Sequence, residues 1–286
     1  MSARAWSSFA AVSVLWGIPY LFISIAVDHG ISPGFLAFSR VLLGALVLLP
    51  IAWRAGLLGS LRENRGWLLL YAIVEIAIPF PLIAFGEEHV SSSVAAILIA
   101  ATPLIVAVLA RTFDHSERVT GRRLAGLVVG FAGVVALVGV DIAGDPDEVI
   151  GAIAILIAAV GYAVGPMTLQ AKLSTIDPRA VMAGALAIAA VALLPLAALA
   201  PPDPPLQGEA VASILVLGVF CTAAAFVLFG ALVIDIGAGR ALVITYIAPI
   251  VALVAGVIVL GESPGLGTIV GLPLILGGSW LATGSE

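Results

Sequence analysis

The sequence predicts an all-helical integral membrane protein with ten transmembrane helices in two five-helix units. Three observations support this prediction: an apolar composition, ten runs of membrane-spanning length, and a repeat of landmark residues. Hydrophobic residues make up 62% of the 286 and charged residues only 10%, with a mean hydropathy of +1.23. Soluble domains carry about 25% charged residues. This chain therefore has too little polar sequence to cover the surface of a soluble domain.

A helix needs about 20 apolar residues to cross a hydrocarbon core, and each of the ten apolar runs has a length in this range. Five precede an acidic linker at residues 141–148 and five follow it. The first run is too long for the apolar core of a signal peptide and lacks a small-residue cleavage site, so we expect a retained span. Spans one to ten are predicted at 6–27, 34–53, 66–85, 90–110, 124–140, 149–169, 180–200, 210–232, 241–260 and 266–282.

Landmark residues of the two halves align when the chain is shifted by 145 or 146 positions. The units are predicted at 10–140 and 149–283. Because each holds five spans, an odd number, the second unit must enter the membrane from the side opposite to the first. Such inverted repeats place a substrate site near the midplane between the copies, and rocking of the halves gives alternating access. The aligned pairs include Pro33 with Pro178, Pro50 with Pro195, Gly126 with Gly271, Gly133 with Gly278, and Pro103 with Pro249.

The distribution of basic residues predicts that both termini are cytoplasmic, because Lys and Arg concentrate on that side of membrane proteins. With the N terminus inside, eleven of the twelve basic residues flank cytoplasmic ends of spans, and Arg40 is the twelfth. The eleven are Arg4, Arg54, Arg62, Arg65, Arg111, Arg118, Arg122, Arg123, Lys172, Arg179 and Arg240. The outer links carry acids instead: Asp28, Glu87, Glu88, Asp141, Asp145, Asp147, Glu148, Asp203, Glu209 and Glu262. We expect a multi-pass protein of a bacterial inner (plasma) membrane.

Short motifs in four spans resemble the EamA family of the drug/metabolite transporter superfamily, in its ten-helix type. They are Leu15-Trp16-Gly17, Phe38-Ser39-Arg40, Pro103, and Tyr246-Ile-Ala-Pro249 running to Gly261-Glu262. The first half departs from the family at Ser116-Glu117, where Gly-Glu is frequent. The resemblance implies an EamA-like fold and a secondary transporter, most often an exporter of amino acids or related metabolites. It also implies a central cavity lined by spans such as one, three, four, six, eight and nine.

Two charged side chains lie well inside the predicted spans, Arg40 in span two and Glu75 in span three. A charge at the membrane centre costs at least about 2.5–3.5 kcal/mol on insertion scales, so each should face the protein interior, a partner or water. At 1.5 Å per residue, Arg40 lies ~9 Å and Glu75 ~15 Å from the outer end of its span, depths at which the side chains can meet. The alternatives are an ion pair that serves structure alone, or an Arg40 that snorkels or holds backbone carbonyls.

Glu75 lies beside two prolines that disturb the helix of span three. Pro79 lacks the N–H that would bond to the carbonyl of Glu75, and Pro81 frees a second carbonyl. Tyr71 is one turn earlier on the same face and adds a hydroxyl group. These residues predict a kinked, polar notch in the middle of the span.

Two functional roles for Glu75 stay open at this point. Burial favours the protonated acid, which can carry a coupling proton, whereas a nearby Arg40 keeps the acid ionised. An arginine and a glutamate at this depth also suit the carboxylate and ammonium groups of a zwitterionic amino acid.

Aromatic, polar and helix-breaking residues in the spans complete the predicted site. Prolines in transmembrane helices are tolerated where the freed backbone groups find partners, often beside cavities, although a simple kink is the alternative for each. Trp16 can instead pack between helices. The candidate lining residues are Trp16, Tyr20, Tyr162, Gln170 and Tyr246. The candidate helix breaks, with a possible gating role, are Pro19, Pro79, Pro81, Pro103, Pro166 and Pro249.

These patterns together predict a secondary active transporter that exports amino acids or related small amphipathic solutes. A multidrug exporter of organic cations is the alternative within transport, and a membrane-embedded enzyme is the alternative from another class, although no nucleophile lies beside Glu75. Cys221 is the only cysteine and the histidines fall at span ends, so we expect no metal site and no cofactor. The expected partners are a small-molecule solute, the lipid bilayer and a coupling proton, with no nucleic acid, in a monomer or a homodimer.

Overall fold

The structure, a computed structural model, describes residues 3–113, 121–142, 144–236 and 244–283. Ten apolar helical spans run through the described residues, eight of them long and two shorter. This confirms the all-helical membrane fold that the composition predicts. The motif departure at Ser116-Glu117 lies outside the described residues, as does Arg240.

Spans one to five are built from helices that several prolines begin or interrupt. Span one is Ala3–Gly17 and Pro19–Asp28, and span two is Pro33–Arg54. Span three is Arg65–Ala72, the π-helical turn Ile73–Ala77, and Pro79–Gly86. Span four is Ser92–Ile99 and Thr102–Phe113, and span five is Arg122–Leu137 with the π-helical turn Val138–Ile142.

Spans six to ten follow the linker. Span six is Pro146–Thr168 with the π-helical turn Leu169–Leu173, and span seven is Pro178–Leu199. Span eight is Gly208–Leu215, the π-helical segment Val216–Ala224, and Ala225–Ile236. Span nine is Ile244–Ala255 with the π-helical turn Gly256–Leu260, and span ten is Leu266–Thr283.

Local chemistry explains where several spans begin. The hydroxyl of Ser32 accepts a hydrogen bond from the N–H of Phe35, and Ser91 caps span four in the same way. Asp145 and Asp177 cap spans six and seven. A proline follows the cap of spans two, six and seven, where its fixed φ suits the first helical turn and its missing N–H removes no hydrogen bond.

The largest helix contacts join the two predicted halves. Span five packs on span ten, span two on span seven, and span three on span six. Spans five and ten approach closely because glycines face each other: a methyl group at Gly133 would overlap the backbone of Gly271, and one at Gly278 that of Gly130. Each of the two large hydrophobic clusters contains residues of both halves, so the halves pack closely on each other, while their inverted symmetry stays a prediction.

The outer links meet one another at one end of the bundle, which we call the linker end. Ser32 donates a hydrogen bond from Oγ to the carbonyl of Ala200 at 2.6 Å. His29 lies 2.6 Å from the carboxylate of Glu209, and its hydrogen bond to the carbonyl of Ile25 and this carboxylate raise its pKa. The orientation of this end toward the outside stays a prediction.

Candidate functional site

Arg40 reaches from span two toward span eight. Its Nε donates a hydrogen bond to Oγ1 of Thr222 at 2.8 Å, which is its only hydrogen bond to the described part of the chain. The Thr222 hydroxyl in turn donates to the carbonyl of Leu217 in the π-helical segment. The guanidinium carbon lies 4.2 Å from the ring centre of Phe80, within cation–π range. These contacts fix the arginine but leave the two terminal nitrogens of its fork for another group.

Glu75 projects from the π-helical turn of span three onto span six. The N–H of Ile78 bonds to the carbonyl of Ile73, five residues back, so the helix widens just before Pro79. On span six, Gly165 leaves room for the carboxylate, because a methyl group there would overlap Oε2 of Glu75. The same Oε2 is buried and has no hydrogen-bond partner within the described ranges. The predicted notch is therefore present, as a π-helical turn.

A second glycine extends this contact by one helical turn. A methyl group at Gly161 would overlap the carbonyl of Val74 and approach Cγ of Pro79 to 2.8 Å. Gly161 and Gly165 thus form a groove that receives span three of the same chain. Their GxxxG spacing is used for packing within the protein, and it gives no support for a dimer.

No ion pair joins Arg40 and Glu75 among the residues described. Tyr162 of span six interacts electrostatically with both, and Tyr20 of span one interacts with Arg40 and Tyr162. Both groups therefore lie within electrostatic reach of Tyr162, and they do not neutralise each other by a direct ion pair.

Two of the other predicted lining residues, Tyr71 and Trp16, pack between helices. Tyr71 is 2% exposed and donates its hydroxyl hydrogen to Sδ of Met182, so it belongs to the core between spans three and seven. Trp16 packs its ring on Phe226 and Phe229 of span eight, with ring centres 5.9 and 4.7 Å apart. Packing between helices is thus the observed arrangement for both.

The structure places the last two predicted lining residues, Gln170 and Tyr246, in spans six and nine. Gln170 is exposed in the π-helical turn that ends span six. Tyr246 is partly buried near the start of the described part of span nine.

The predicted helix breaks fall into two groups. Spans one, three and four are interrupted at or next to Pro19, Pro79 and Pro103, where a new helix begins. By contrast, Pro81, Pro166 and Pro249 lie inside continuous helices. Because the two halves differ at these positions, the prolines alone do not define matching breaks in both copies.

Glu87 is a buried acid that the sequence reasoning placed in an outer link. It is 6% exposed, and both carboxylate oxygens are buried without a hydrogen-bond partner among the described residues. Its neighbour Glu88 is exposed. Helical periodicity is the signal that finds Glu87, because it follows the buried Ile83 by four residues on the same face.

Two further acids at the linker end cap helices. Oε1 of Glu262 accepts hydrogen bonds from the N–H and Oγ of Ser92 at 2.8 and 2.7 Å, and Oε2 accepts from the N–H and Oγ of Ser93. The carboxylate of Asp141 accepts from the N–H of Gly267 at 2.8 Å and from that of Thr268 at 2.6 Å. These acids hold the starts of spans four and ten.

A cavity of about 410 Å³ opens beside these two caps. Glu262, Asp141 and Glu148 line it together with Ser93 and Ser263. Within the described ranges, no group of three or more potential ligands is placed to hold a metal ion. The cavity is thus acidic and separate from the Arg40 and Glu75 contacts.

Comparison with known proteins gives one family and several relatives of similar length. The model of the EamA-like transporter family matches residues 5–139 and 149–284, which confirms the resemblance seen in the motifs. An uncharacterised transporter of Archaeoglobus fulgidus is 25% identical over 97% of this chain and 98% of its own. A Streptantibioticus cattleyicolor protein named as a probable terminal-alkyne amino-acid exporter is 28% identical over 98% of this chain and 93% of its own.

A solved crystal structure resembles the fold. It superposes with a TM-score of 0.68 at 23% sequence identity, over 99% of this chain and 98% of the other. At this identity the likeness concerns the fold alone.

Proposed function

The chain belongs to the EamA-like transporter family, and from this premise we propose that it is a secondary active exporter of amino acids or related small amphipathic metabolites. The observation that supports this substrate class is the separation of Arg40 from Glu75. Each charge faces the region around Tyr162, and neither neutralises the other. A zwitterion has one group of each sign, so it can satisfy both side chains at once.

The proposed binding geometry follows from the unused atoms of the two side chains. The terminal nitrogens of Arg40 form a planar fork that matches a carboxylate. Oε2 of Glu75 is buried without a partner, so it gains most from an ammonium group or from a proton. The same atom thus serves either solute binding or proton coupling, and exchange between the two would couple export to the proton gradient.

The proposed transport cycle is alternating access between two inverted repeats, residues 10–140 and 149–283. Glu75 lies in the π-helical turn of span three, and Thr222, the hydrogen-bond partner of Arg40, lies in the π-helical segment of span eight, so both side chains are held where backbone hydrogen bonds are already rearranged. Such turns are frequent at functional sites. The name of the Streptantibioticus cattleyicolor relative, a probable terminal-alkyne amino-acid exporter, agrees with the substrate class, and the transporter family argues against the enzyme interpretation.

The test is export of amino acids by cells that produce the protein, measured by mass spectrometry of the spent medium. Glu75→Gln keeps the shape and removes the charge, so we expect it to abolish export while the amount and folding of the protein stay near normal. Glu88→Gln makes the same chemical change at an exposed acid thirteen positions after Glu75, and it should export like the unchanged protein. Normal export by Glu75→Gln would contradict the proposal.

A double variant separates function from structure. If the two charges only stabilised each other, Glu75→Gln would strand Arg40 at a cost of about 3–5 kcal/mol, and adding Arg40→Gln would restore stability and export. Because no ion pair joins them, we expect no such rescue. An exporter of organic cations, in contrast, would lose activity in Glu75→Gln and keep it in Arg40→Gln, since it needs only the negative charge.

A further inference from the structure

Glu87 is a buried acid whose surroundings provide no hydrogen-bond donor of normal geometry to stabilise an ionised carboxylate. Both oxygens are buried and unpartnered within the described residues, at the end of span three. The backbone of Ser24 in span one lies nearby and lowers the pKa of Glu87, but neither oxygen accepts a hydrogen bond of normal geometry from it. Burying a carboxylate without hydrogen bonds strongly favours its protonated form.

The charged groups around Glu87 come from three other spans. Burial raises the pKa of Glu87 well above its usual range, and the carboxylate of Glu262 at the end of span nine raises it further. Arg40 of span two lowers it, and Asp28 of span one raises it slightly. The hydroxyl of Tyr20 also lies within electrostatic reach. The balance therefore favours a bound proton.

Glu262 has the opposite environment, although it lies close enough to interact with Glu87. Four donors from Ser92 and Ser93 surround its carboxylate at the start of span four. A helix N terminus and charge-assisted hydrogen bonds both stabilise an ionised acid. When two neighbouring acids compete in this way, one proton resides on the acid with fewer donors, here Glu87.

We propose that Glu87 is a proton-binding site and that its proton keeps Glu262 seated on the start of span four. Loss of the proton places a second negative charge, without donors, beside the first. Release of Glu262 into the adjacent acidic cavity relieves this repulsion and frees span nine from span four. The proton on Glu87 thus holds the linker end closed, and its departure opens that end. This inference rests on the proposed alternating access.

The direction of the pH dependence follows from the raised pKa. The closed state binds the proton more tightly than an open state in which water reaches Glu87. Closure is therefore favoured at low pH and is lost as the pH rises through the pKa of the closed state. One coupled proton changes the ratio of closed to open protein by up to about tenfold per pH unit in that range.

Cysteine labelling at the cavity measures this opening without any solute. Val90→Cys places a thiol on the cavity wall at a position that is only 7% exposed in the closed state, in a Cys221→Ser background, and a membrane-impermeant maleimide is the probe. Thiol reactivity itself rises with pH, so each rate is divided by that of the same protein carrying Glu87→Gln. Glutamine mimics the protonated acid, and we expect the ratio to rise several-fold with pH. The exposed neighbour offers the control Glu88→Gln, which should leave the ratio unchanged.

A ratio that stays constant with pH overturns the proposal, as does a Glu88→Gln protein that behaves like Glu87→Gln. Glu262→Gln should label faster at every pH, because an amide fits four donors poorly, and an unchanged rate contradicts the role of this cap.

Infrared spectroscopy gives a second measurement. The band of a protonated carboxylic acid at neutral pH should weaken in Glu87→Gln but not in Glu88→Gln, and a full-strength band in both excludes a proton on Glu87. Neither measurement depends on Glu75 or on solute export.

Discussion

Replacing Gly165 by alanine tests the contact of Glu75 with span six directly. The added Cβ would overlap Oε2 of Glu75 and lie 2.8 Å from its Cδ and 3.0 Å from its Cβ. Overpacking of this kind destabilises by about 1–3 kcal/mol. Alanine also stabilises a helix relative to glycine by about 0.5–1 kcal/mol. The expected net loss in the free energy of unfolding is therefore about 0–2.5 kcal/mol, and Gly165→Ala should be about 1–3 kcal/mol less stable than a glycine-to-alanine change without overlap.

The control is Gly277→Ala in span ten, where an added Cβ meets no neighbouring heavy atom within 4 Å. It gains helix propensity without overlap, so it should be neutral or stabilising by up to about 1 kcal/mol. Both variants are compared in detergent by titration with a denaturing detergent, which gives the free energy of unfolding. Combining Gly165→Ala with Glu75→Ala removes the overlapping carboxylate, so the two changes should show an interaction energy of about 0.5–3 kcal/mol in a double-mutant cycle. If Gly165→Ala is as stable as Gly277→Ala, the carboxylate does not lie where the structure places it.

Three further predictions concern topology, the site and the linker end. A cysteine at Glu63 in a Cys221→Ser background should react only with reagents that enter the cytoplasm, and labelling from outside would reverse the predicted orientation. Arg40→Lys loses the fork and the Nε hydrogen bond, so amino-acid export should fall at least about tenfold, as for a lost bidentate contact, and export that is unchanged would remove Arg40 from the carboxylate site. A backbone hydrogen bond and Glu209 raise the pKa of His29, so this ion pair contributes at low pH and is lost as the pH rises through that pKa. His29→Gln should therefore flatten the change in apparent Tm between about pH 6 and 8, and a wild-type pH profile would show that the pair contributes nothing.

Composition and periodicity were sufficient to predict the membrane fold. Helices that cross a bilayer need about 20 apolar residues and must satisfy their backbone groups internally, so hydropathy alone locates the spans. The same reasoning identified Arg40 and Glu75, because charges are rare at these depths and costly. Pro79 predicted the disturbed helix at Glu75, since its missing N–H is a local property of the chain.

The sequence could not predict which side chains contact each other across the bundle, because these contacts depend on which helix faces meet. Depth along the membrane allowed Arg40 and Glu75 to pair, yet packing directs one to Thr222 and the other to Gly165. Tyr71 shares a helix face with Glu75, but its hydroxyl is used in the core by Met182.

The two adjacent acids at the linker end also separate what the sequence predicts from what depends on tertiary packing. Glu87 and Glu88 are chemically identical and consecutive, and the charge distribution places both in an outer link. Only tertiary packing buries Glu87 within electrostatic reach of Glu262 while Glu88 stays exposed. The positions of the charges along the chain were enough to predict that acids gather at this end. They could not predict which acid is buried without donors, because burial and hydrogen bonding depend on neighbours that are distant along the chain.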